Sequence, residues 1–290
     1  GIGLHSGKFS NVKLLPGNDD QGIIFKRTDL KKNNLIKANF KNVTSAKLCT
    51  TLENSSGVSV STVEHLLAAF YITGVDNVVV EIDNNELPIM DGSSIDFVNL
   101  INDTGLKELS SKRKFLKILK KVEFKDGKKY ISIEPNKNNF EVDFQLGYNN
   151  KIIGNQKNHV IFERQDLKEI YSSRTFCLFE DIELIKKSGL AKGGSLENAI
   201  VVKGEKILNE KGLRNNKEFV NHKILDLVGD FLLAGRILGN VKCIQGGHHL
   251  SNIFLREVFK DPSNFEEVTC NFEFFEKNFK IPINKLAVSA

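Results

Sequence analysis

The segment that most constrains this chain is Phe219 to Ile237, FVNHKILDLVGDFLLAGRI, which reads as one long helix carrying His222, Lys223, Asp226 and Asp230. At about 100° per residue, His222, Asp226 and Asp230 share a narrow arc, while Ile224, Leu225, Val228, Phe231 and Leu232 centre on the opposite side. An imidazole and a carboxylate four residues apart can reach one point in space. That is the geometry of two metal ligands on a helix. A polar stripe of this kind is more often only a solvated face, so the choice depends on what the rest of the chain supplies.

With 290 residues there is room for two domains, each with its own core. The most linker-like stretch runs from Thr104 to Lys114 and contains Gly105 and Ser110-Ser-Lys-Arg-Lys114. The division is placed there, giving domains 1–108 and 109–290. No apolar run approaches the ~18 residues of a membrane span, and the first residues do not resemble a signal peptide. The chain starts Gly1-Ile-Gly and its only methionine is Met90, so its natural start is expected to lie outside this sequence. A net charge of +5, spread in short lysine clusters, favours an anionic small molecule or membrane headgroups over a nucleic-acid partner. Cys49, Cys177, Cys243 and Cys270 form no Cys-x-x-Cys pair. This argues for a reducing compartment and against thiolate-bound structural zinc. Any metal would be held by His and Asp or Glu.

Along the chain, Gly1-Ile-Gly-Leu-His-Ser-Gly-Lys8 reads as a tight turn around His5, and a meander of short strands follows at 22–26, 36–40, 46–51 and 57–60. A helix starts with Ser61 as N-cap and ends at Gly74. Glu64 then stands where a capping-box carboxylate would stand, and His65 could be a packed core histidine. The same two residues are also well placed for a metal site, the imidazole as ligand and the carboxylate beside it. A strand at 77–83, a turn at 87–94 and a second helix from Ile95 complete the first half.

The second half repeats this scheme in outline. Strands are expected at 115–124 and 128–134 around Asp126-Gly127, then at 140–148 and 159–162, with a short helix at 166–171. An apolar strand-helix-strand unit spans about 174–202 and reads either as a satellite core or as a groove for a long apolar ligand. After the long helix come a strand at 241–245, then Gly246-Gly-His-His249, and a helix to about Lys260.

His65, His222 and Asp226 make three non-thiolate ligands, the count of a catalytic zinc site with an open fourth position. Glu64 is then the general base, His248 or His249 the acid, and Asp230 the group that orients that histidine. The reaction class is metal-assisted hydrolysis of an amide or ester.

The segments GIGLHSG, STVEHLLAA, DNVVVEID with ELPIMDGSS, SRTFCLFEDIE with GLAKGGSLENAIVV, and FVNHKILDLVGD with GGHHLSN occur in order from residue 1 to about 260. Together they resemble the UDP-3-O-acyl-N-acetylglucosamine deacetylases, zinc hydrolases of lipid A biosynthesis. The resemblance implies an α+β fold of two similar domains, each an antiparallel sheet layered on helices, with the site at their interface. It implies zinc on His65, His222 and Asp226, Glu64 as base, and His248 rather than His249 as acid with Asp230 as its partner. Thr175 resembles the threonine that helps stabilise the oxyanion, Lys223 a substrate-contacting lysine, and Phe176 the start of an acyl-chain passage. His5 matches a histidine near the nucleotide portion of the substrate, and Cys49 is expected close to the pocket. Also implied are acetate release from the acylated UDP-sugar, zinc or alternatively Fe2+ as cofactor, a cytoplasmic monomer, and transient contact with the inner membrane surface. Three rival readings are a non-catalytic nucleotide-sugar or lipid-binding homologue, a metal-free scaffold, and a zinc amidohydrolase with another substrate.

Overall fold

The structure is a computed structural model that describes residues 1–163 and 165–270. In the first half, strands β1 (Val12–Pro16), β2 (Ile23–Arg27) and β3 (Leu35–Lys37) are followed by a small antiparallel sheet of β4 (Val43–Ser45), β5 (Thr51–Glu53) and β6 (Ser59–Ser61). Helix α1 (Glu64–Thr73), β7 (Val78–Ile82) and α2 (Ile95–Thr104) complete it.

The second half begins with β8 (Arg113–Ile118), β9 (Val122–Asp126), β10 (Lys129–Pro135), β11 (Phe140–Gly147) and β12 (Asn155–Ile161). Then come α3 (Lys168–Tyr171), β13 (Phe176–Leu178), α4 (Phe179–Lys187), β14 (Ile200–Lys203) and β15 (Lys206–Ile207). Helix α5 (Glu218–Leu232), β16 (Arg236–Ile244), α6 (His248–Lys260) and β17 (Phe265–Cys270) follow. β17 falls in a tail to which the sequence assigned nothing, and the rest of that tail, 271–290, lies outside the described residues.

The first main sheet has the order β3-β2-β7-β1, and the second contains β12-β11-β16-β10 with β9 beyond β10. In both four-strand sets the pairings run antiparallel, parallel, antiparallel. The chain also visits them in the same order, with a helix before the last strand: α1 before β7 and α5 before β16. The fold is α+β as expected, but its main sheets are mixed rather than purely antiparallel. A helix-bearing crossover, unlike a hairpin, can return the chain parallel to an earlier strand, and this gives the β2–β7 and β11–β16 pairs.

Alternation explains how the sheets bury one face. Ile23, Phe25 and Arg27 of β2, Val78, Val80 and Ile82 of β7, and Phe140, Val142, Phe144 and Leu146 of β11 are buried at every second residue. Their inward side chains join those of α1, α5 and α6 in one continuous apolar cluster. Helices α1 and α5 touch through Gly229, where a Cβ would come within 2.1 Å of the Glu64 carbonyl oxygen. Only glycine permits that approach.

Several element boundaries differ from expectation, and three of these differences have a visible cause. The strand expected at 46–51 is a loop between β4 and β5, because Leu48 adopts a left-handed conformation with φ of 66°. The strand expected at 115–124 is broken between Ile118 and Val122, since β8 pairs with β16 and β17 while β9 pairs with β10. β16 begins at Arg236, directly after Gly235 turns the chain with φ of 99°.

Candidate active site

The N-terminus of α1, the polar stripe of α5 and the first residue of α6 meet at one narrow cleft. His5, Glu64, His65, Thr175, His222, Lys223, Asp226 and His248 all line it, with Leu4, Leu48 and Ile89 as apolar wall. His65 Nε2 and His222 Nε2 face Asp226 Oδ1 at 3.6 Å and 3.3 Å, and one ligand atom from each of the three residues lies within 4.8 Å of the others. Asp226 Oδ1 is buried and accepts no hydrogen bond. A buried carboxylate oxygen without a donor, facing two imidazole nitrogens, is what a divalent cation would satisfy. Two imidazoles and a carboxylate suit zinc or ferrous iron.

The neighbours fix these groups. His222 Nδ1 lies 3.1 Å from the Ser173 carbonyl oxygen, which can only accept, so Nδ1 carries the proton and Nε2 keeps its lone pair. Burial pushes the His222 pKa down to about 3 against the pull of Asp226, so the ring is neutral, as a ligand must be. Burial also works against the Asp226 carboxylate, yet His222, Lys223 and His248 around it hold its carboxyl well below the usual range. Lys223 Nζ donates to Asp226 Oδ2 at 2.8 Å and stands 5.6 Å from the centre of the Phe176 ring.

Glu64 is 3% exposed. The capping-box reading fails for a geometric reason: Ser61 belongs to β6, its hydroxyl donates to the Asn85 carbonyl, and the residue before the helix is Val63 with no side-chain cap. Instead Glu64 Oε2 accepts the Thr50 N–H at 3.1 Å, while Oε1 lies 3.7 Å from His248 Nε2. Burial raises the Glu64 carboxyl above its ordinary value, with His248 and His65 pulling the other way. His248 Nδ1 donates to Asp230 Oδ2 at 2.9 Å. Burial disfavours the His248 cation, but Asp230, Glu64 and Asp226 outweigh it and raise the pKa to about 10. The adjacent His249 is exposed and does not line the cleft. Asp230 stands behind His248 rather than on the cleft wall.

Other expected residues occupy distinct places. Thr175 is held by its N–H on the Gly92 carbonyl at 2.8 Å. Its neighbour Arg174 makes a buried ion pair at 2.8 Å with Glu218 in the first turn of α5. Phe176 does not line the cleft; it packs edge-on against Phe219 at 4.9 Å and near Tyr148 at 5.8 Å. The unit at 174–202 folds as β13, α4 and β14, and α4 buries none of its residues, with Leu184 71% exposed. Its apolar groups therefore form no closed satellite core. Cys49 lies behind the wall, with Leu48 in the lining place; burial pushes its thiol up to about 12, far from a reactive thiolate.

Two groups that no sequence motif singles out, Thr50 and Glu86, organise the cleft. Thr50 contacts both Glu64 and Asp230. Glu86 is 2% exposed and accepts the backbone N–H groups of His5 and Ser6 at 2.7 Å and 2.6 Å and the Thr62 hydroxyl at 3.0 Å. It ties the glycine-rich first turn to the start of α1. His5 Nδ1 there accepts the Ala191 N–H at 3.4 Å, and its buried Nε2 has no partner.

The family described as UDP-3-O-acyl N-acetylglycosamine deacetylase matches residues 1–260. The chain is 43% identical over 271 residues to the UDP-3-O-acyl-N-acetylglucosamine deacetylase of Nautilia profundicola, covering 93% of this chain and 91% of that protein. It is 42% identical over 277 residues to that of Aliivibrio fischeri, with 94% and 90% covered. The Pasteurella multocida protein of the same name is 43% identical over 273 residues, with 93% and 89% covered. With its motifs in order and matches spanning nearly the whole sequence, the chain belongs to the UDP-3-O-acyl-N-acetylglucosamine deacetylase family.

Proposed function

We infer that this chain is a deacetylase of lipid A biosynthesis that hydrolyses the N-acetyl amide of a UDP-3-O-(3-hydroxyacyl)-N-acetylglucosamine and releases acetate. The observation that carries the reading is the convergence, on one cleft, of an unsatisfied carboxylate with two imidazoles, a buried glutamate, and a histidine backed by an aspartate. His65, His222 and Asp226 would hold a divalent metal, zinc or alternatively Fe2+, which supplies Lewis-acid polarisation of the amide carbonyl and of water.

The chain's own groups handle the protons. Glu64, raised by burial, is a base for the attacking water. His248 is cationic at neutral pH, and its Nε2 faces the cleft to protonate the departing amine, while Asp230 holds Nδ1. The Thr175 hydroxyl is assigned to the developing oxyanion, and Lys223 and His5 to the sugar and nucleotide parts of the substrate. Phe176 and the open unit at 174–202 form the acyl passage, supported by the exposure of α4. Cys49 has no role in this reading.

The site lies between two domains, 1–108 and 109–290, and the repeated strand order of the two halves supports that division. The enzyme is proposed to act as a cytoplasmic monomer touching the inner membrane surface transiently. No described helix is long and apolar enough to cross a membrane. A non-catalytic homologue would have lost a ligand, the base or the acid, and all five positions are filled.

The test is acetate release from the acylated UDP-sugar by purified protein, before and after chelation and with zinc or Fe2+ added back. Turnover is expected to vanish with the metal and return with it. Turnover indifferent to chelation, or none in folded, metal-loaded protein, would overturn the reading.

A further inference from the structure

Thr50 is 2% exposed and makes two contacts from one residue. Its hydroxyl donates to Asp230 Oδ1 at 2.6 Å and its N–H donates to Glu64 Oε2 at 3.1 Å. Each carboxylate thus has one oxygen held by Thr50 and the other turned toward His248: Asp230 Oδ2 to Nδ1 at 2.9 Å, Glu64 Oε1 to Nε2 at 3.7 Å. The torsion that swings a carboxylate is soft and broadly two-fold. An anchor on one oxygen is what aims the other.

We propose that Thr50 is a positioning residue that aims the Glu64 and Asp230 carboxylates at the two ring nitrogens of His248, so that base and acid are set by one side chain and its amide. The proposal rests on the proton-transfer roles given to those three residues. Thr50 precedes β5 and ends the loop turned by the left-handed Leu48, and its carbonyl oxygen accepts the Val63 N–H at 3.5 Å, one residue before α1. The loop, the start of α1 and α5 are therefore joined at this residue, and α6 is reached through Asp230 and His248.

Thr50→Val keeps the shape and the amide and removes only the hydroxyl donor, whereas Thr50→Ser keeps both donors. A hydrogen bond to a charged group affects equilibria by roughly tenfold or more. The expected result for Thr50→Val is a kcat lower by about tenfold or more, KM within about twofold, and unchanged metal content. Thr50→Ser should restore kcat to within about threefold of the parent value.

In a His248→Gln background, Thr50→Val should have little further effect, because the two residues act through one chain of bonds. A general packing role would instead give additive losses and would overturn the proposal. A second readout needs no turnover: in nitrogen-15 histidine-labelled protein, the low-field Nδ1–H proton of His248, assigned by its absence in His248→Gln, should shift in Thr50→Val and not in Thr50→Ser. An unmoved signal overturns the proposal even where kcat falls. If the parent protein releases no acetate, the deacetylase reading fails while this signal still decides the role of Thr50. Should Thr50→Val not fold, Thr50→Ala removes the same donor and is read in the same way.

Discussion

Glu64 is the residue whose chemistry is most exposed to test, because two functions meet on its carboxylate. One oxygen accepts the Thr50 amide and the other faces His248, so the group joins a loop to α1 and, in the proposed reaction, takes the proton of the attacking water. Glu64→Gln separates these functions: the amide oxygen still accepts from Thr50, but the basicity is gone. The expected outcome is a kcat lower by about two to four orders of magnitude with the metal still bound. Parent-level kcat in this variant would reduce Glu64 to an anchor. Two members of the candidate metal triad could be picked out in the sequence because His222 and Asp226 lie on one helix, where periodicity fixes which side chains share a face. His65 and Glu64 were legible as neighbours at a helix start, although the cap assigned to them was wrong. Thr50 and Glu86 were not legible at all. Their partners are up to 180 residues distant in sequence, and nothing in LCTTL or NNELP marks a residue that must be satisfied by a distant carboxylate or amide.

At the scale of elements, the site depends on how closely α1 lies on α5. A Cβ at Gly229 would stand 2.1 Å from the Glu64 carbonyl oxygen and 3.2 Å from the Ala68 nitrogen, so Gly229→Ala must push the two helices apart. Overpacking of this kind costs about 1–3 kcal/mol. The same displacement moves His65 away from His222 and Asp226, so metal affinity should fall together with melting temperature. Competition with a chelating dye and thermal unfolding of the same sample check this; native values of both would mean that the helices tolerate the methyl group. The elements themselves were legible where one face is buried and the other is not, as in β2, β7 and β11. β1 escaped because it lies at a sheet edge with a burial pattern that does not alternate. β16 was read to start five residues late, at 241 instead of Arg236, and to end one residue late, chiefly because its first residues owe their conformation to a parallel pairing with β8 that lies far away in sequence.

Over the whole molecule, two halves of like connectivity are joined by a partly buried polar clasp as well as by α1 and α5. Arg236 and Arg113 both grip Asp76, and Arg236 also donates to the Phe70 and Tyr71 carbonyls at the end of α1. The same two carbonyls also accept the N–H groups of Gly74 and Val75 that close the helix, so the guanidinium adds to a cap already made. The Tyr71 hydroxyl in turn donates to Glu163 Oε1 at 3.4 Å, and Glu163 Oε2 accepts the Phe140 N–H of the second sheet at 2.9 Å. The repeat of strand order could be read in outline from the sequence, but this clasp could not, since its members come from the end of α1, the turn after it, β8, β16 and the turn after β12. Burial raises the Glu163 carboxyl to about 7, against the pull of the Phe140 N–H and of Arg236. The sign of its effect follows from linkage. A carboxyl whose folded value lies above its unfolded value of about 4.5 binds its proton more tightly in the folded protein. Its contribution to stability is full below about pH 4.5 and is lost as the pH rises through about 7, a loss on the order of 3 kcal/mol. Glu163→Gln presents a neutral group at every pH, with an oxygen for Phe140. Urea unfolding of metal-free parent and variant at pH 5, 6, 7 and 8 should therefore give stabilities that nearly agree at the acid end, separate as the pH rises toward about 7 and run parallel above it, with the variant the more stable. A constant difference between the two across that range would mean that Glu163 does not change its charge there and that the clasp holds the halves together without regard to pH.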